Sequence, residues 1–359
     1  MNKKVWLLLP LALALAAAVW GYAAGDASDP LASLSYLEGT FSSAVNAKVE
    51  EKLNASDAVI SSGGGAANTA SDAGWAEDQL KQGDTLQCAT GASVMLLAGQ
   101  GSMSYASGTV VDVTDGRIAA SGSVMQANHR YLVAEGTTVA FTMTSKTAVV
   151  DHEGGTVSCS DAVDYNAMAS ALKTLHLFQG SFTGYGQGFD LEAAPTRLQA
   201  LIMFVRVLGE EEQALAWTGT TPFADIQKGS QAEKYVGYAY SKGYTNGYSA
   251  TQFKPSGAVN ARQYAEFVLR AMGYSSVANT DLSDTLFRAQ SAGVLTAGEV
   301  EMLQRDPFLR AELVYISYYA LDAWLADGSG TLGTSLEDKG VFTAREWDTA
   351  HAAITGGRL

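Results

Sequence analysis

The sequence predicts a multidomain protein of mixed α and β type. An N-terminal helix and linker lead to a small antiparallel β-sandwich or barrel-like domain, then to an all-α domain of three repeats. Three observations predict it. First, residues 247–274, GYSATQFKPSGAVNARQYAEFVLRAMGY, have an imperfect upstream copy at 184–209, GYGQGFDLEAAPTRLQALIMFVRVLG. Second, residues 84–160 are rich in Val, Thr and Ser and alternate apolar with polar side chains, the period of a half-buried strand. Third, from about Tyr165 the apolar period becomes helical. The boundaries that follow are 1–25, 26–80, 81–160 and 161–359, with repeats at about 165–209, 221–274 and 281–325.

In chain order, Lys3 and Lys4 precede an apolar run from Val5 to Trp20, and Ala23, Ala24 and Gly25 supply small residues for cleavage. This is the pattern of an export signal, and it places the rest of the protein outside the cytoplasm. A retained membrane anchor is the alternative, since the run approaches the ~20 residues that span a bilayer. Residues 30–56 carry Leu34, Leu37, Phe41, Val45 and Val49 at helical spacing. That helix could serve as an oligomerising stalk or pack on its neighbour. The stretch SSGGGAANTASDAG after it reads as a linker.

In the β segment, Val139, Phe141 and Met143 interleave with Ala140, Thr142 and Thr144. VVDVTDGRIAA carries Asp115-Gly116 between two β-favouring runs, a hairpin signal. SVMLLAG and RYLVAE add further strands, for some seven to nine in all. The chain's two cysteines, Cys88 and Cys159, bracket this segment. Export permits a disulfide tying its first strand to its last. The alternative is a pair of buried thiols acting as small apolar side chains.

In the helical segment, Leu198, Leu201, Ile202, Val205 and Leu208 form one stripe. Tyr264, Phe267, Val268 and Ala271 form a second, and Val314, Ser317, Tyr318 and Leu321 a weaker third. Shorter helices precede them at about 167–177, 232–242 and 284–292, and a last one spans 343–353. Three such units can share a core that none could bury alone. Thr196 with Gln199 forms a capping box, and Asn260 with Gln263 is a close relative. Arg197 then falls at the first helical position, Arg262 at the second, and Arg310 aligns with Arg197 in the third copy. A cation there opposes the helix dipole at a cost of about a few tenths of a kcal/mol. Arginines in that setting point to an anion held between them and the helix N–H groups. The competing reading is ion pairing with an acid of the adjacent repeat.

The second copy resembles the S-layer homology domain of exported proteins of Gram-positive-type, clostridial bacteria. FADI with Asp225, the helix end SKGYTNG, the loop GYSATQFKP and the opening of the next helix carry the resemblance. The first copy keeps FDLEAAPTRLQ, and the third keeps FLRAELVYISY without the Gly-Tyr loop. The resemblance implies a three-pronged helical bundle on the cell surface. It would bind a secondary cell-wall polysaccharide linked to peptidoglycan, often anionic through pyruvyl ketals. The residues it nominates are Arg197, Arg310, Arg262, Thr196, Gly247, Tyr248 and Asp225. Three departures are visible. Ala261 stands where the family has Arg, which turns the second guanidinium by about 100° around the helix. Gln231 replaces an aromatic, and Leu309 replaces Thr. Unequal grooves are therefore expected, and a single competent one would suffice. Of the tyrosines, Tyr185 and loop residue Tyr248 are sugar-stacking candidates, whereas Tyr235 and Tyr240 on a helix read as core.

A formal charge of −14 argues against nucleic acid or an anionic membrane as a bulk partner. The four histidines, His129, His152, His176 and His351, show no metal-ligand spacing, and His176 reads as structural on the first repeat helix. No nucleophile elbow, zincin motif or phosphate loop is present. The expectation is a non-catalytic surface protein with neither metal nor cofactor, its β module displayed or used as scaffold, with self-association through the N-terminal helix open. The alternatives are an assembly protein whose bundle contacts proteins, and a wall-tethered glycan-acting enzyme.

Overall fold

The computed structural model describes residues 74–180, 189–354 and 358–359. The export-signal pattern, the helix read at 30–56 and most of its linker, and Tyr185 lie outside the described residues. No helix among the described residues is long and apolar enough to cross a membrane.

Ten strands come first: β1 (Ala76–Lys81), β2 (Thr85–Ala89), β3 (Ser93–Ala98), β4 (Gly101–Ser104) and β5 (Val110–Asp112). They continue with β6 (Arg117–Ala119), β7 (Arg130–Val133), β8 (Thr138–Met143), β9 (Thr147–Glu153) and β10 (Thr156–Ser158). They form two sheets, of order β1-β9-β3-β7-β5-β6 and β10-β2-β8-β4, and every pairing is antiparallel. The alternation in β8 buries Val139, Phe141 and Met143. Asp115-Gly116 turns β5 into β6 with Gly116 at φ +65°, the conformation that favours glycine. Both sheets contribute to one apolar cluster, with Leu86 and Phe141 from the smaller and Val94, Leu96 and Val150 from the larger. The strands exceed the expected seven to nine because short pieces such as β10 carry no periodicity of their own.

The cysteine bridge is corrected. Both thiols are free, Cys88 buried and Cys159 exposed. The register explains it: β10 runs against β2 with Ser158 opposite Thr85 and Thr156 opposite Gln87. Cys88 therefore faces Gly155, where an added Cβ would lie 2.8 Å from its sulfur. Four residues of extended chain, about 13 Å, separate that point from Cys159, beyond disulfide reach.

Among the described residues ten helices follow: α1 (Tyr165–Thr174), α2 (Arg197–Val207), α3 (Glu211–Ala216), α4 (Gln231–Ser241) and α5 (Ala261–Ala271). Then come α6 (Thr285–Ser291), α7 (Ala297–Arg305), α8 (Arg310–Ala320), α9 (Leu332–Asp338) and α10 (Ala344–Ala352). Helix α4 packs on α2, α6 on α5, and α1 on α8. Leu201, Phe204, Tyr235, Tyr264, Phe267 and Tyr315 join one core. Both expected capping boxes form, Thr196 with Gln199 and Asn260 with Gln263. In the third copy Leu309 has no oxygen to offer, and Glu312 alone accepts from the Leu309 N–H at 2.7 Å. Helix α7 stands where the third copy lacks the Gly-Tyr loop, capped by Thr296 with Glu299. Two side-chain expectations are corrected. Tyr240 is exposed, its ring edge-on to Phe223, whereas Tyr235 is buried as expected. His176 lies past the end of α1 at φ +61° and meets Glu346 at 3.2 Å.

Candidate functional site

The second copy builds a groove. Asp225 accepts from the N–H groups of Phe253 (2.9 Å) and Lys254 (2.7 Å), fixing the loop that holds Gly247 and Tyr248. Burial alone would raise this carboxyl, but those N–H donors outweigh it and hold it below the usual range. Asp225 thus acts on loop geometry. Gly247 has φ +80°, and a Cβ there would lie 2.3 Å from the Phe223 ring. Tyr248 is exposed, and the Lys254 ammonium covers one face of its ring at 3.4 Å.

Between this loop and α5 lies a cavity of about 440 Å³, lined by Arg197, Tyr248, Gln263, Glu266 and Arg270 among others. Arg197 is 7% exposed. Its Nη2 donates to the Gly247 carbonyl at 3.2 Å, its guanidinium lies over Phe253 (5.1 Å) and Phe267 (5.6 Å), and its Nε has no partner. No carboxylate pairs with it among the described residues. Burial, and then Arg270, depress its pKa. A buried cation without an acid is costly, which singles the position out.

The other nominated residues are placed differently. Arg310 is partly buried and paired with buried Asp190 at 3.6 Å, so the acid of a neighbouring copy supplies its anion. Arg262 is exposed on α5 and is not among the residues lining the groove. Thr196 caps α2, accepting from the Gln199 N–H. At the starts of α2 and α8 the helix N–H groups expected to hold an anion are already used. Those of Arg197 and Leu198 donate to the carbonyls of Gly257 and Pro255, and those of Arg310 and Ala311 to Ala193 and Leu191. Beside Arg197 and Arg310 an anion is therefore a matter for side chains.

Sequence reasoning missed Glu266 and the part Arg270 plays. Glu266 stands six positions beyond the helix cap, where the other copies have Ile202 and Tyr315, and a carboxylate at that point of a buried stripe was the available signal. It pairs with Arg270 Nε at 3.1 Å and with Arg288 Nη2 at 2.8 Å.

Two further clusters are already neutralised. A larger cavity of about 630 Å³ lies where the strands meet the helices. Its Lys146 is held by Asp306 and Glu312, Arg305 by Asp306, and Arg358 by Glu299. Asp112, Asp115 and His129 bring ligand-type atoms within 4.8 Å of one another. Arg117 lies 2.9 Å from Asp115 and already supplies a cation there.

Among the described residues, fold and groove define a helical module in which the buried Arg197 guanidinium has no carboxylate, carried beside antiparallel β-sheets. Residues 222–265 match the S-layer homology domain, so the chain carries such a domain, a module of cell-surface anchoring proteins. A "Cell surface protein" of Thermoanaerobacter kivui is 28% identical over 200 residues, 54% of this chain and 25% of that protein. The chain thus spans about a quarter of that relative's length. Among solved structures, procruciferin, an 11S globulin from Brassica napus, shares 13% identity over 24% of this chain and 22% of that one. Its TM-score of 0.17 bears no argument about the fold.

Proposed function

We propose that this protein is a non-catalytic, exported surface protein held on the cell wall by an anionic secondary polysaccharide bound in the Arg197 groove. The three helical copies form one triple-repeat bundle, and the two sheets form a sandwich that is displayed or used as scaffold. The observation that carries this reading is the Arg197 guanidinium, buried without a carboxylate in a cavity on the copy that matches the family. A sugar acid supplies the missing charge, and Tyr248 offers a ring at the rim for stacking. The other two positions are closed by the chain itself, one by Asp190 on Arg310 and one by Ala261. One groove per chain is therefore the working number.

The test is co-sedimentation of the full chain with purified sacculi, before and after their polysaccharide is stripped. Retention lost on stripping supports the reading, and retention unchanged rejects it. The Arg310–Asp190 pair also favours a second reading, in which the bundle assembles with proteins. Retention on stripped sacculi, or of an Arg197→Ala chain, would select that one.

A further inference from the structure

Three charged residues line the groove, and at its rim the Lys254 ammonium lies over Tyr248 with the Asp225 carboxylate close enough to offset it. The three are Arg197, Glu266 and Arg270, and the other lining residues carry no charge. Glu266 is 2% exposed and accepts from Arg270 Nε (3.1 Å), Ser275 Oγ (2.5 Å), Thr285 Oγ1 (3.4 Å) and Arg288 Nη2 (2.8 Å). Arg270 gives its other donors to the carbonyls of Tyr244 and Asn279, which lead into the two walls of the groove. Arg288 is also held by Asp284 at 3.0 Å. The charge of Arg270 is thus met inside the protein, and that of Arg197 is not. Beside the groove, exposed Asp281 adds another negative charge, its carboxylate accepting from the Ser283 N–H at 2.9 Å.

We propose that Glu266 selects the charge of the ligand, so that the groove takes a sugar acid bearing one carboxylate and rejects phosphate monoesters and other dianions. This rests on the anion-binding reading of Arg197. One negative charge pairs with Arg197 and leaves the groove neutral. A second would face Glu266 and Asp281 with no unpaired guanidinium to receive it. In a concave, partly desolvated site that repulsion is several times stronger than in bulk water. Glu266 is therefore a positioning and selectivity residue, acting through Arg270 and through its own field.

The experiment is competition against retention of the full chain on sacculi at about pH 8, where a phosphate monoester carries close to two charges. The probes are glucuronate, glucose 6-phosphate and, as the uncharged control, glucose. Glucuronate is expected to release the chain at about tenfold lower concentration than glucose 6-phosphate, with glucose inert. The Glu266→Gln chain should bring the two acids within about twofold of each other. The Glu266→Gln/Arg270→Gln chain, which loses one charge of each sign, should restore the preference. Equal potency on the unmodified chain, stronger release by the phosphate, or release by neither acid overturns the inference. If the Glu266 variants do not fold, the ratio on the unmodified chain decides alone. Loss of retention in Arg197→Ala, whatever that ratio, keeps the groove reading standing apart from this one.

Discussion

Arg197 donates one N–H to the carbonyl of Gly247 at 3.2 Å and otherwise rests on the rings of Phe253 and Phe267. It is a charge taken out of water without an acid to receive it. Replacing it with Met keeps the length and removes the desolvation cost, so Arg197→Met should be neutral or stabilising by up to about 2 kcal/mol. The same chain should lose retention on sacculi. Urea unfolding and co-sedimentation measure the two effects, and a destabilised variant with normal retention would contradict the assignment.

Arg310 offers the opposite case. Its guanidinium is partly buried, but Asp190 stands 3.6 Å away. Burial pulls its pKa down, and Asp190 with Glu192 pushes it back up. Arg310→Met removes the guanidinium from beside buried Asp190 and should cost about 2 kcal/mol in urea unfolding. Retention on sacculi should stay at the level of the unmodified chain, because this pair is closed. Lost retention at unchanged stability would show that Arg310 meets the wall polymer directly.

These two arginines look alike in the sequence, and the reason is physical. The capping residues, helix starts and apolar stripes are local, set by spacings of three and four residues, and they were legible. The alternation of Val139, Phe141 and Met143 and the Asp115-Gly116 hairpin were legible for the same reason. Which acid meets which arginine is decided between segments far apart in the chain. Asp190 reaches Arg310 across 120 positions, and no periodicity reports that. The β2–β10 register, which parts Cys88 from Cys159, is long-range in the same way. Helix α7 shows in the sequence only as the Thr296–Glu299 capping box, in the copy that lacks the Gly-Tyr loop.

Acid should loosen the junction between sheets and helices. Asp84 is buried, accepts from the N–H groups of Lys81 (3.0 Å) and Ser160 (2.7 Å), and pairs with the Lys81 ammonium at 3.0 Å. Burial alone would raise its carboxyl, but those donors outweigh it and hold it below the ordinary 3.8. A carboxyl lowered on folding contributes stability above its unfolded pKa and loses it as pH falls through the folded one. Stability should therefore decline below about pH 4. Asp84→Asn should flatten that decline and cost about 3 kcal/mol at neutral pH, since Lys81 loses its anion. Urea midpoints at neutral pH and below about pH 4 check both. An equally steep acid decline in the variant would remove Asp84 from the account.

Gly247 joins the shape of the groove to its chemistry. Its φ of +80° is strained for any residue with a Cβ. A Cβ would also lie 2.3 Å from the Phe223 ring and 2.8 Å from the Ser249 carbonyl. Phe223 has little freedom to yield, being itself buried, with the exposed Tyr240 ring at 5.4 Å and the buried Phe253 ring at 5.9 Å. The loop must move instead, and the acceptor that steers Arg197 moves with it. Gly247→Ala should cost about 2 kcal/mol or more and lower retention on sacculi. Gly243→Ala is the matched control. It sits at φ +74°, where an added Cβ would meet only Val277 at 3.8 Å, so it carries the conformational cost of about 1 kcal/mol alone. Its retention should be unchanged. If both variants lose retention equally, loop strain rather than the Gly247 carbonyl governs binding, and the link from Gly247 to Arg197 falls.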